Sequence, residues 1–134
     1  MKEKNIRVFD SEDYEFIKCL RNIGIERKQA MVLAFFRVEE IGTSRGIEMA
    51  TSLRQPEVSL AIVALRNLDF INSEQLTIPG KKRGQYTNEY SLAVPLEDII
   101  KHFWGIALQR WGEKMDAYKK LLDCQLPTNK LAGL

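Results

Sequence analysis

The sequence predicts a mostly α-helical chain with one small β-hairpin and a long C-terminal helix. Three observations carry that expectation. Two short apolar-periodic stretches, from Thr43 and from about residue 55 to 68, meet across the turn Leu53-Arg54-Gln55, with Pro56 just beyond it. Two strand-like runs then flank a Pro-Gly break and the cations Lys81, Lys82 and Arg83. Finally, Leu96–Leu122 repeats apolar residues at spacings of three and four, which as a helix extends about 40 Å. Two helices across a tight turn, followed by a basic hairpin, make a winged helix-turn-helix.

The elements follow in order. Met1–Phe9 is charged at its start and apolar at Ile6, Val8 and Phe9, which fits a loose arm or a strand-like segment docked on the body. Asp10-Ser11 caps a first helix, and Glu12 and Asp13 in its opening turn complement the helix dipole. Tyr14, Ile17 and Leu20 form its apolar stripe, and Gly24 terminates it. The next helix is expected over Glu26–Glu40, with Ala30, Leu33, Ala34 and Val38 on one face and Met31, Phe35 and Phe36 thickening it. Ile41-Gly42 ends it. Preceding the helix pair, it should form the floor of the core.

Thr43 or Ser44 offers a hydroxyl to cap the first helix of the pair. Ile47, Ala50 and Leu53 then share a face, with Met49 beside them, and small Ala50 lets the two helices approach closely. Pro56 suits the first position of the second helix, where a missing N–H is harmless. Val58, Ala61, Ile62, Leu65 and Leu68 make the buried stripe of that helix, leaving Arg54, Gln55, Glu57, Ser59 and Leu60 outward. In a helix-turn-helix the start of the second helix reaches base edges. Gln bonds adenine bidentately, Arg reads guanine, and Glu accepts from cytosine. Leu60 and Val63, apolar and outward, fit either a protein contact or thymine methyl groups.

Asp69 follows where the helix should stop, since Asp tolerates the left-handed conformation. Phe70-Ile71 enters a strand, and Gln75–Ile78 alternates as a half-buried strand does. The wing spans about residues 79–86. Its cations would clamp phosphates, which positions a protein without reading sequence; an ordinary solvated turn is the plainer alternative. Tyr86, Tyr90 and Leu92 fall on one side of the returning strand. Pro95 then breaks the chain. In the long helix, Ile100, Trp104, Leu108, Trp111, Met115, Tyr118 and Leu122 keep a coiled-coil rhythm, while Ile99, Phe103, Ile106 and Ala107 form a second flank. A domain this small cannot bury both flanks. The first half is expected to pack on the body and the second half, from Trp104 to Leu122, to meet a partner helix; the alternative is a helix lying back across the domain. Gly105 and Gly112 weaken the helix, and so fit a close approach or a bend. The resulting division is 1–94 as a DNA-binding unit and 95–134 as a dimerisation helix with a fraying tail after Leu126-Pro127.

The turn LRQPEVS (Leu53–Ser59), the ALRNLDFI that follows, the Lys/Gly/Arg wing and the YSLAVPLEDII junction (Tyr90–Ile100) resemble an archaeal group of winged-helix transcriptional regulators. The resemblance covers about residues 26–101 and implies DNA binding as a regulator, without implying a regulon or an effector. Two departures stand out: Asp69-Phe70 replaces a Gly-Trp pair, and the wing reads GKKRGQY where a GKGRPxK-like segment is the pattern.

Composition bounds the rest. The 134 residues suit one domain of 45% apolar and 28% charged content, ordinary for a globular protein. Net charge is only +2. Between Thr43 and Val94, six Lys/Arg face five acids for a net of +1, so the position of the cations matters more than their number. A single module should bind weakly, and pairing two would multiply phosphate contacts. Cys19 and Cys124 form no Cys-x-x-Cys pattern and His102 is the one histidine, which argues against zinc. Two reduced thiols are expected, with a Cys124 bridge between dimer mates as the alternative. No apolar run reaches membrane-spanning length and no leader is evident, so the expected setting is cytoplasmic. No catalytic residue, metal or cofactor is expected: Gly80-Lys81-Lys82-Arg83-Gly84 lacks phosphate-loop spacing, and His102 has no sequence-evident nucleophile. The acid pairs Glu39-Glu40 and Glu97-Asp98 fall at helix ends, where capping and dipole roles suffice.

The expected activity is sequence-specific regulation of transcription by a homodimer on double-stranded DNA. Arg54, Gln55, Glu57 and Ser59 would face the major groove; Lys81, Lys82, Arg83 and Arg45 would face the backbone. A winged-helix protein-interaction module of a larger transcription or replication complex is the alternative. A further reading adds a small apolar effector between the body and the Trp104/Trp111 helix.

Overall fold

The computed structural model describes residues 8–77 and 86–124. Helix α1 (Ser11–Asn22) leads to α2 (Arg27–Phe35), a two-residue strand β1 (Gly42–Thr43), α3 (Ser44–Thr51), α4 (Gln55–Asn67), strands β2 (Ile71–Thr77) and β3 (Tyr86–Leu92), and α5 (Leu96–Cys124). The three antiparallel strands lie in the order β1-β3-β2. This is the expected fold, mostly helical with a small hairpin and a long last helix. Among the described residues no helix is long and apolar enough to cross a membrane.

Helix α2 is the centre of the core because Ala30–Phe35 is apolar on every side and is buried on every side. It packs against α1, α3 and α4. Around it close Ile17 and Leu20 of α1, Ile47 and Ala50 of α3, Val58, Ala61, Ile62 and Leu65 of α4, and Ile99 of α5.

Helix α1 starts as expected, with the Asp10 carboxylate accepting the Asp13 N–H. Asp13 does more than complement a dipole. Only 1% exposed, it accepts the Asp10 N–H at 2.9 Å and pairs with the Arg37 guanidinium at 3.1 Å. Tyr14 departs from its stripe: it is 52% exposed and meets the Phe9 ring edge-on.

The second helix is shorter than expected. It stops at Phe35 instead of continuing to Glu40, and Val38 is 54% exposed instead of sharing the buried face. The chain must turn there to deliver Gly42 and Thr43 to the sheet, opposite Tyr90 and Glu89. The turn also carries Arg37 back to Asp13. Gly42 is required by its surroundings: a Cβ at that position would overlap the Phe35 ring.

Helix α4 begins at Gln55, which puts Pro56 at its second position, where an N–H is equally dispensable. It ends before Leu68, which is 41% exposed and does not extend the buried stripe. The stop is a left-handed Asp69 at φ 65°, as the sequence suggests. Its N–H bonds the Arg66 carbonyl at 2.8 Å, and the Phe70 N–H bonds Leu65 at 2.9 Å, satisfying carbonyls that the helix end leaves open.

Strand β2 keeps the expected half-buried alternation where it is described, with Gln75 and Thr77 exposed about Leu76, while Ile78 lies outside the described residues. Ile71 is buried, Asn72 to Gln75 are exposed, and Leu76 is half-buried. On β3, Tyr90 is buried and Leu92 half-buried. Among the described residues of the hairpin, the buried ones, Ile71 and Tyr90, lie towards its root.

The root of α5 is held by fully buried Ile99, with Ile100, Phe103, Ile106 and Ala107 half-buried. Phe70, His102 and Phe103 pack edge to face, with ring centres 5.1 to 6.1 Å apart. From Leu108 to Cys124 every residue is exposed. Gly105 and Gly112 have open space beside them. The segments Met1 to Arg7 and Leu126-Pro127 lie outside the described residues.

Candidate nucleic-acid interface

The turn between α3 and α4 is built by Thr51 and Ser52. The Thr51 hydroxyl, buried, donates to the Ile47 carbonyl at 2.7 Å and accepts the Leu53 N–H at 3.1 Å. Ser52 takes the left-handed conformation at φ 65°, reversing the chain. Leu53 then plugs into the core at 5% exposure, so the following residue emerges into solvent. That residue is Arg54.

Arg54 is the N-cap of α4 and is exposed with Gln55 and Ser59. The Glu57 carboxylate reaches back to accept the Arg54 N–H at 2.9 Å, the reciprocal half of a capping box. That hydrogen bond holds the Glu57 carboxyl below its usual pKa of 4.5, and the positive charges of Lys28, Arg54 and Arg27 act in the same direction. Glu57 is thus employed in starting the helix, not simply displayed beside the other three polar residues.

The same electrostatics locates two cations that local sequence spacing does not single out. Arg27 and Lys28 open α2, and their charge is felt at Glu57, so the starts of α2 and α4 share one edge of the molecule. Only the packing of one helix on another reveals this. Arg27 also lines a cleft of about 470 Å³ with Lys18 and Arg21 of α1. Arg45 is exposed in the first turn of α3, whose start is capped by Thr43 accepting the Gly46 N–H at 3.1 Å. Lys81, Lys82 and Arg83 lie outside the described residues, between the paired ends Thr77 and Tyr86 of the hairpin.

The outward surface of α4 is not uniformly polar. With about 3.6 residues per turn, the buried Val58, Ala61, Ile62 and Leu65 define one face, and directly opposite fall Pro56, Leu60, Val63 and Asn67. Gln55, Ser59 and Arg66 form the polar flank. Leu60 is 65% and Val63 47% exposed.

On α5, Trp104, Leu108, Trp111, Met115, Tyr118 and Leu122 are all 39–60% exposed. A shallow cleft of about 270 Å³ lies between the α1–α2 turn and this helix, lined by Ile23, Phe103, Ile106 and Trp111 and rimmed by Arg110 and Lys114. Trp104 does not line it. Among the described residues no group of His, Cys, Asp or Glu side chains could hold a metal ion. Cys19 and Cys124 are free and exposed.

No protein-family model and no curated protein matches the chain. Solved structures match it by shape. TrmBL2, an archaeal chromatin protein described as showing a novel mode of DNA binding, superposes with a TM-score of 0.56 at 18% identity. The match covers 84% of this chain and 40% of TrmBL2, so the chain spans well under half of that protein's length. A possible transcriptional regulator from Methanosarcina mazei Go1 superposes with the same TM-score of 0.56 at 15% identity, covering 89% of this chain and 99% of the other. At such identities the likeness is one of fold, and the fold is the winged helix.

Proposed function

We propose that the chain is a DNA-binding transcriptional regulator that acts as a homodimer in the cytoplasm, of the archaeal winged-helix kind its motifs resemble. Residues 1–94 form the reading head and 95–134 the dimerisation segment. Helix α4 enters the major groove. Arg54, Gln55 and Ser59 approach base edges, with Glu57 fixing the start of the helix beside them. Arg45, Arg27 and Lys28 meet the phosphate backbone, as do Lys81, Lys82 and Arg83 from the wing. The observation that carries this reading is the exposed start of α4, with Arg54 at its cap and the charges of Arg27 and Lys28 of α2 reaching Glu57 beside it. The fold shared with an archaeal DNA-binding chromatin protein and a possible regulator supports it. The reading invokes no catalytic step, cofactor or effector.

The test is binding of the purified protein to its own promoter region, titrated against random DNA across several salt concentrations. Salt-steep binding with preference for the promoter is expected. No binding at low salt would overturn the proposal in favour of a protein-interaction module.

A further inference from the structure

We infer that Leu60 and Val63 form an apolar subsite for thymine methyl groups, and that the half-site read by this protein carries thymines under the middle of α4. The inference rests on the DNA-binding reading and adds the base chemistry to it. Position is what singles these residues out. A helix seated in the major groove with its core-facing side outward must turn its opposite side to the groove floor. That opposite side is Pro56, Leu60, Val63 and Asn67, and its two most prominent side chains are a leucine 65% exposed and a valine 47% exposed. Neither can accept or donate a hydrogen bond, so pressed against a base edge rich in donors and acceptors they would strand those groups without partners. The thymine C5-methyl is the one apolar feature that base edges present in the major groove. Gln55, Ser59 and Arg66 on the adjacent flank remain available for the polar edges.

The same two side chains would suit a protein partner, and the test separates the two occupants. The probe is a duplex selected from a random pool by the full-length protein, together with a copy in which every dT is replaced by dU, one strand at a time. Removal of a methyl that the helix touches should weaken wild-type binding by about fourfold per methyl. In Leu60→Ala and Val63→Ala the ratio of dT to dU affinity should fall towards one, while the salt slope stays that of wild type. Both residues are exposed, so thermal denaturation should be unaffected. Equal wild-type affinity for the dT and dU duplexes would overturn the subsite and leave DNA binding intact, as would an undiminished ratio in both variants. Failure of the wild type to select any duplex would overturn the subsite and the DNA-binding reading together.

Discussion

Two residues show how much of this protein rests on single interactions. Gly42 lies against the ring of Phe35, with no room for a Cβ. Gly42→Ala should force that buried ring to shift, an overpacking of about 1–3 kcal/mol, read as a lower melting temperature with little change in the intrinsic affinity of the folded protein for DNA. Glu57 illustrates the opposite case, a charge whose role is local. Its carboxyl titrates below 4.5 because the Arg54 N–H favours the ionised form. Its contribution is therefore complete above that value and fades as pH falls through the depressed one. The capping role was open to inference from the Arg54-x-x-Glu57 spacing; the base-reading role assigned from residue type alone competes with it.

Elements were legible where local chemistry agreed with the tertiary fold. Thr43, Asp10 and Asp69 set helix ends through hydroxyl, carboxylate or left-handed geometry, and of the two hydroxyls offered at the start of α3 it is Thr43, not Ser44, that caps it. The far end of α2 was not legible, because Ala30, Ala34 and Val38 keep a helical period across a turn that only strand β1 explains. Asp13 and Arg37 were equally silent, being 24 residues apart. For α5, periodicity correctly separates a body-facing root from an outward stripe, and the stripe's exposure is the reason to expect a second copy of the chain against it. Trp111→Glu puts a charge into that stripe without touching the core, so it should yield folded monomers in sedimentation. A dimer that survives the change would move the interface elsewhere.

At the scale of the molecule, a net charge of +2 makes the proposed DNA binding depend on where the cations sit. Arg27, Lys28 and Arg54 all act on Glu57, and the DNA-binding reading adds Arg45 and the wing cations Lys81, Lys82 and Arg83 to that set. Replacing Arg27 and Lys28 with Ala should lower the salt slope by about 0.9 for each phosphate no longer neutralised, with promoter preference retained. Replacing Lys119 and Lys120 on α5 removes the same charge and should leave the slope unchanged. A slope that responds equally to both pairs would mean that bulk charge, not this set of cations, governs binding.

In the proposed dimer the 29-residue α5 would also act as a lever. It is anchored at Ile99 and Phe103 and is exposed from Leu108 onward, roughly 30 Å from anchor to tip at 1.5 Å per residue. With the tips of two such levers clasped together, a tilt of about 6° at one anchor displaces its head by about 3 Å, close to the rise of one base pair. The packing of Phe70, His102 and Phe103 at the fulcrum would then set the distance between the two reading heads. A substitution there could retune which operator spacing is accepted without touching a residue that faces DNA.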